Sequence, residues 1–161
     1  MDDQEILQEF LTESYENLAT LDHELVELEK RPQDAELLAS VFRTIHTIKG
    51  TCGFLGFSTM EKISHVTENI LSQARNGERL LTAEVNSVIF AAVDAIKNEL
   101  RSIEERQAES GQSYDALIAT LQDVYENRSG DAFPARAERK EVPRQSAGEK
   151  EPPAAAVVAP P

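Results

Sequence analysis

Leu7 to Leu28 reads LQEFLTESYENLATLDHELVEL. Leu7, Leu11, Ser14, Leu18, Leu21, Leu25 and Leu28 follow one another at alternating steps of four and three. That spacing keeps one stripe of a helix apolar and is the seam by which a helix packs in a bundle. No Gly or Pro interrupts it. The stretch therefore predicts a long helix whose apolar stripe must be covered by other helices.

The rest of the first 127 residues supplies them. Arg31, Pro32 and Gln33 make a turn, and Asp34 is placed to cap a second helix that begins AELLASVFRTIHTIKG. Its inward stripe is Leu38, Val41, Ile45, Ile48 and Cys52, and it is expected to end between Phe54 and Phe57. Ser58 followed by Glu61 is a capping-box pattern that predicts the start of a third helix. That helix would bury Met60, Ile63, Ile70, Leu71 and Ala74 and stop at Gly77. Thr82 predicts the cap of a fourth, with Val85, Val88, Ile89, Ala92, Ile96, Leu100 and Ile103 inward. Gly111 is expected to break the chain before a shorter fifth helix carrying Leu117, Ile118, Leu121 and Val124 on one side. No period-two alternation predicts a strand. The expected fold is all-α, an antiparallel up-down four-helix bundle with an additional C-terminal fifth helix.

Charge narrows the function. The chain of 161 residues has 16 Lys plus Arg against 29 Asp plus Glu, a net charge of -13. Six of the basic and five of the acidic residues fall after Asn127, which leaves ten against 24, or -14, on residues 1–127. Nucleic acid and anionic lipid both require a basic face, so neither is an expected partner. One cysteine, Cys52, excludes an internal disulfide and fits a reducing compartment. The opening MDDQEILQEF has no apolar signal core, and no apolar run approaches the roughly 20 residues that span a bilayer. A cytoplasmic location and no membrane insertion are expected.

Residues 128–161 differ in kind. Six of the seven prolines lie there, and the segment closes AAAVVAPP. Too few large apolar residues are present to offset ordering entropy. Residues 1–127 are thus expected to be the helical domain and 128–161 a Pro/Ala-rich flexible linker or tail leading to further chain.

A bundle core is a scaffold, so function is sought on its surface. On the second helix, at about 100° per residue, His46 leaves the core stripe of Ile45 and Ile48 and faces the flank. Phe42, Lys49, Gly50 and Gly53 stand four before and three, four and seven after it, on one stripe. Glycine costs a helix about 0.5–1 kcal/mol relative to alanine. Two explanations for Gly50 and Gly53 are open: bare backbone that lets another molecule reach His46, or close approach of a neighbouring helix. Gly56 belongs to the following loop. On the third helix, His65 and Glu68 share a face. They are either an ordinary solvated pair or, with the two helices adjacent, partners of His46. In the second case Glu68 would accept the Nδ1–H of His46 and leave Nε2 nucleophilic.

The run FRTIHTIKGTCGFLGF, then HVTENIL about twenty residues after the histidine, then ARNGE resembles the histidine phosphotransfer (HPt) domain at the N-terminus of CheA-type chemotaxis histidine kinases. The resemblance implies that His46 is the phosphoacceptor, at Nε2. It implies that Glu68 holds Nδ1, that Lys49 and His65 line the site, and that Phe42, Gly50 and Gly53 serve access and docking. It implies two partners, the ATP-binding catalytic domain of the kinase and a CheY-like response regulator receiver domain. These supply the metal and the electrostatic stabilisation. The chain itself carries neither G-x-x-x-x-G-K-[ST] nor G-x-G-x-x-G, so it is expected to be a phosphoryl carrier and substrate rather than an enzyme, with no cofactor and no metal. A di-iron bundle would need Glu-x-x-His on two helices, and no Glu here has a His three residues on. The alternative is a helical-bundle interaction or dimerisation domain with no phosphotransfer.

Overall fold

The computed structural model describes residues 2–127; the expected linker, 128–161, lies outside the described residues. Five helices follow in order: α1 Asp3–Lys30, α2 Ala35–Leu55, α3 Ser58–Arg75, α4 Ala83–Arg106 and α5 Asp115–Glu126. Among the described residues there is no strand. Helices α1 to α4 close a ring in which each packs on its two neighbours, and α5 lies on α3 and α4.

Contacts across the ring fix the antiparallel order. Phe10 near the start of α1 meets Phe57 just past α2, with ring centroids 5.5 Å apart. Ser40 near the start of α2 donates to Glu24 Oε2 late in α1 at 2.6 Å. Between α1 and α4, Tyr15 Oη donates to Glu104 at 2.9 Å and Lys97 Nζ to Asp22 at 2.6 Å.

The apolar stripes are where the spacing puts them. Leu11, Leu18, Leu21, Leu25 and Leu28 are buried, with Val41, Ile45, Ile48, Ile63, Ile70, Ile89, Ile96 and Leu100 facing them. Burying each such side chain contributes about 1.5–3 kcal/mol, so the core outweighs any single surface contact. The margins depart from expectation. Leu7, Val88, Leu117 and Ile118 are half-buried. Among the described residues no helix is long and apolar enough to cross a membrane.

Helix ends explain most of the loop chemistry. Asp2 and Glu5 form a reciprocal capping box on α1. Asp34 caps α2 through Leu37 N–H at 3.0 Å, and Thr82 caps α4 through Val85 N–H at 3.3 Å. Gly56, at φ 84°, closes α2 by a Schellman pair, Phe57 N–H to Cys52 O and Gly56 N–H to Gly53 O. Gly77 closes α3 in the same way. The expected box at the start of α3 does not form: Ser58 is already helical, and the cap residue Phe57 has no side-chain bond. Glu109, from the α4–α5 connection, accepts instead from Thr59 N–H at 3.2 Å and Met60 N–H at 2.9 Å. A full carboxylate on the positive end of α3 outcompetes the local hydroxyl. Helix α4 ends at Arg106 with Gln107 left-handed at φ 62°, before Gly111 rather than at it.

Candidate functional site

His46 stands on α2 with its side chain 61% exposed, while its neighbours Ile45 and Ile48 are buried. Its Nδ1 is hydrogen-bonded to Oε2 of Glu68 from α3. The other oxygen of that carboxylate, Oε1, accepts from Lys49 Nζ at 2.7 Å. Glu68 itself is 8% exposed at its side chain. The antiparallel register of α2 and α3 produces this arrangement. One carboxylate faces two α2 residues almost one turn apart and binds both.

Electrostatics then set the proton. Burial pushes the Glu68 carboxyl up, but the hydrogen bonds from Lys49 and His46, and their charges, more than reverse it, so its pKa is lowered from the ordinary glutamate value. An ionised carboxylate only accepts, so Nδ1 of His46 carries the hydrogen. In the neutral ring this places the free lone pair on Nε2, away from Glu68. The arrangement gives one nucleophilic nitrogen on the surface, with a buried negative charge behind the same ring.

The surroundings differ from residue to residue. Phe42 is half-buried and stacks on His46, with centroids 6.0 Å apart and planes 11° from parallel. Arg75, the last residue of α3, lies over the Phe42 ring with Cζ 4.0 Å from its centroid. The sequence pattern did not single Arg75 out. The signal was the α2–α3 register: a helix pair that sets 46 against 68 sets 42 against the end of α3. His65 is not brought to the pair. It is exposed and lines a separate hollow with Glu61, Lys62, Val66 and Ile118, toward α5.

The two glycines separate as well. A Cβ on Gly50 would meet nothing within 4 Å, so no packing demand explains it, and the surface one turn beyond His46 is clear. A Cβ on Gly53 would come within 2.8 Å of Glu61 Oε2. That oxygen is the tip of an exposed, flexible side chain from α3, which can swing aside, so only a movable carboxylate stands over Gly53, whereas the surface over Gly50 is open. Cys52 offers no second nucleophile: it is buried, and burial pushes its thiol up to about 12. Among the described residues no group of three or more His, Cys, Asp or Glu is placed to hold a metal.

A helical bundle presenting one exposed imidazole backed by a buried carboxylate is the arrangement of a histidine phosphotransfer module. The Hpt domain family matches residues 5–127, and the chain belongs to that family. It is 41% identical over 106 residues to the sensor histidine kinase CheAY of Helicobacter pylori, which covers 65% of this chain and 13% of the kinase. The chain thus spans about an eighth of the length of that relative. Among solved structures it resembles the histidine phosphotransfer domain of CheA, with a TM-score of 0.70 and 39% identity over 76% of this chain and 92% of that one. It also resembles the CheA phosphotransferase domain from Thermotoga maritima, with a TM-score of 0.62 and 43% identity over 65% of this chain and 99% of that one.

Proposed function

We propose that residues 1–127 are the phosphotransfer domain of a CheA-type chemotaxis histidine kinase and that His46 is its phosphoacceptor. Residues 128–161 join the domain to the rest of the kinase, in the cytoplasm. One observation carries the reading: an exposed His46 whose Nδ1 is held by Glu68, a buried carboxylate with a lowered pKa that also accepts from Lys49.

The chemistry follows from that geometry. The Nε2 lone pair attacks the γ-phosphorus of ATP held by the kinase catalytic domain. The N–P bond forms as the bond from phosphorus to the ADP oxygen breaks. The ring becomes cationic, and its positive charge lies against the Glu68 carboxylate through the Nδ1–H. Glu68 keeps its charge and the ring keeps its proton, so no base has to be found in the site. In the second step an aspartate oxygen of a receiver domain takes the phosphorus, the N–P bond breaks, and the electron pair returns to Nε2. The partners supply the metal and the remaining stabilisation of transferring charge. The chain carries the group and does not bind ATP. Its strongly acidic surface gives nucleic acid no foothold.

A dimerisation role would need an apolar face such as the Leu7–Leu28 seam. Leu11, Leu18, Leu21, Leu25 and Leu28 are used up inside the bundle, so the seam offers no face to a second copy. Incubation with the kinase catalytic domain and labelled ATP is the test. The expected product is one acid-labile, base-stable phosphate per chain, absent from His46→Gln. Label retained in that variant, or no label in the wild type, would overturn the proposal.

A further inference from the structure

Glu68 holds His46 at one atom, Nδ1. A single in-plane hydrogen bond leaves the ring able to rock about that bond. The ring plane needs a second contact, and Phe42 supplies it by stacking 11° from parallel. Phe42 is in turn only half-buried, on an exposed flank of α2. What covers its ring is Arg75, with Cζ 4.0 Å from the centroid. Helix α3 therefore reaches His46 twice, through Glu68 at the nitrogen and through Arg75 and Phe42 at the ring face.

We propose that Arg75 is a positioning residue for phosphoryl transfer, fixing the plane of the His46 imidazole by holding Phe42 against it. This rests on the phosphotransfer reading of His46. The Nε2 lone pair lies in the ring plane, and in-line displacement at phosphorus requires it to point along the breaking bond. A ring that rocks spends less time aligned. A guanidinium suits the task because it lies flat on an aromatic face and attracts its π-electrons. Lysine keeps the charge but not the planar contact. Arg75 touches neither Nε2 nor the phosphoryl group and acts only through Phe42.

The test uses the full 161-residue chain with phosphoramidate as phosphoryl donor. This small molecule has no docking surface, so a role for Arg75 in binding a protein partner would not register. Arg75→Ala is expected to lower the rate at saturating donor by about two- to fivefold, the worth of one exposed cation–π contact, with KM unchanged. Arg75→Lys should recover part of the loss. By NMR, the ring protons of His46 should shift in Arg75→Ala toward their positions in Phe42→Leu, while the amides of Ile45 and Ile48 stay in place. With an active wild type, unmoved His46 ring protons or an unchanged saturating rate in Arg75→Ala would overturn the Arg75 proposal alone. A wild-type chain that takes no phosphoryl group from phosphoramidate or from kinase and ATP would overturn it together with the reading beneath it.

Discussion

Lys49 Nζ on α2 and Glu68 Oε1 on α3 lie 2.7 Å apart, and the carboxylate they share with His46 is the buried member of the group. The lysine has two tasks there. It orients the carboxylate so that Oε2 meets Nδ1, and together with His46 it more than offsets the upward push of burial on the Glu68 pKa.

Removing the lysine should therefore change the response to acid. Glu68 has a folded pKa below its unfolded value, so it contributes stability above the ordinary glutamate range, about pH 4.3, and loses it as pH falls through the folded pKa. In Lys49→Met the folded pKa rises, and both acid unfolding and the acid loss of phosphoryl acceptance move to higher pH. At neutral pH the variant should lose about 1–3 kcal/mol, the cost of an unsatisfied buried acceptor. Carbon-13 NMR of the Glu68 carboxyl against pH, alongside circular dichroism, measures both. Superimposable titrations of variant and wild type would contradict this account of Lys49.

Gly50 and Gly53 should respond differently to substitution. Gly50→Ala places its methyl in open space and should stabilise α2 by about 0.5–1 kcal/mol. Gly50→Leu should leave helix content intact and slow both phosphorylation by the kinase and transfer to a receiver, because it fills the surface those partners approach. Gly53→Ala must first displace the Glu61 carboxylate. Rapid-quench transfer kinetics of Gly50→Leu decide the matter, and a wild-type rate would remove access as the reason for Gly50.

Glu109 should matter for stability and not for transfer. Glu109→Ala removes the acceptor for two N–H groups at the start of α3 and should cost about 0.5–2 kcal/mol, a fall of several degrees in Tm. Ser58→Ala should be nearly silent, since Ser58 makes no capping bond. Thermal unfolding followed by circular dichroism tests the pair. A Ser58→Ala loss as large as that of Glu109→Ala would restore the local capping box.

These contrasts show what a linear reading reaches. The bundle was legible because the stripes from Leu11 to Leu28 and from Leu38 to Cys52 are local periodicities, and burial follows periodicity. His46 and Glu68 were legible because one short loop joins their helices and leaves little choice of neighbour. Glu109 was not, because it caps a helix about fifty residues earlier in the chain. The local pattern Ser58–Glu61 pointed elsewhere, and Glu61 is turned toward Gly53 instead. Arg75 and Phe42 lie on different helices, and only a tertiary register pairs them. His65 shares a helix face with Glu68 in sequence, yet a rotation of about 60° between positions three apart carries it toward α5.

The most direct measurement is the site of the phosphoryl group itself. Nitrogen-15 and phosphorus-31 NMR on the domain phosphorylated by the kinase and ATP, with the histidine ring nitrogens labelled, resolves both the residue and the atom. The account predicts a single N–P bond at Nε2 of His46, with the hydrogen of Nδ1 still bonded to Glu68. A phosphoryl group on Nδ1 of His46, or on His23 or His65, would contradict it.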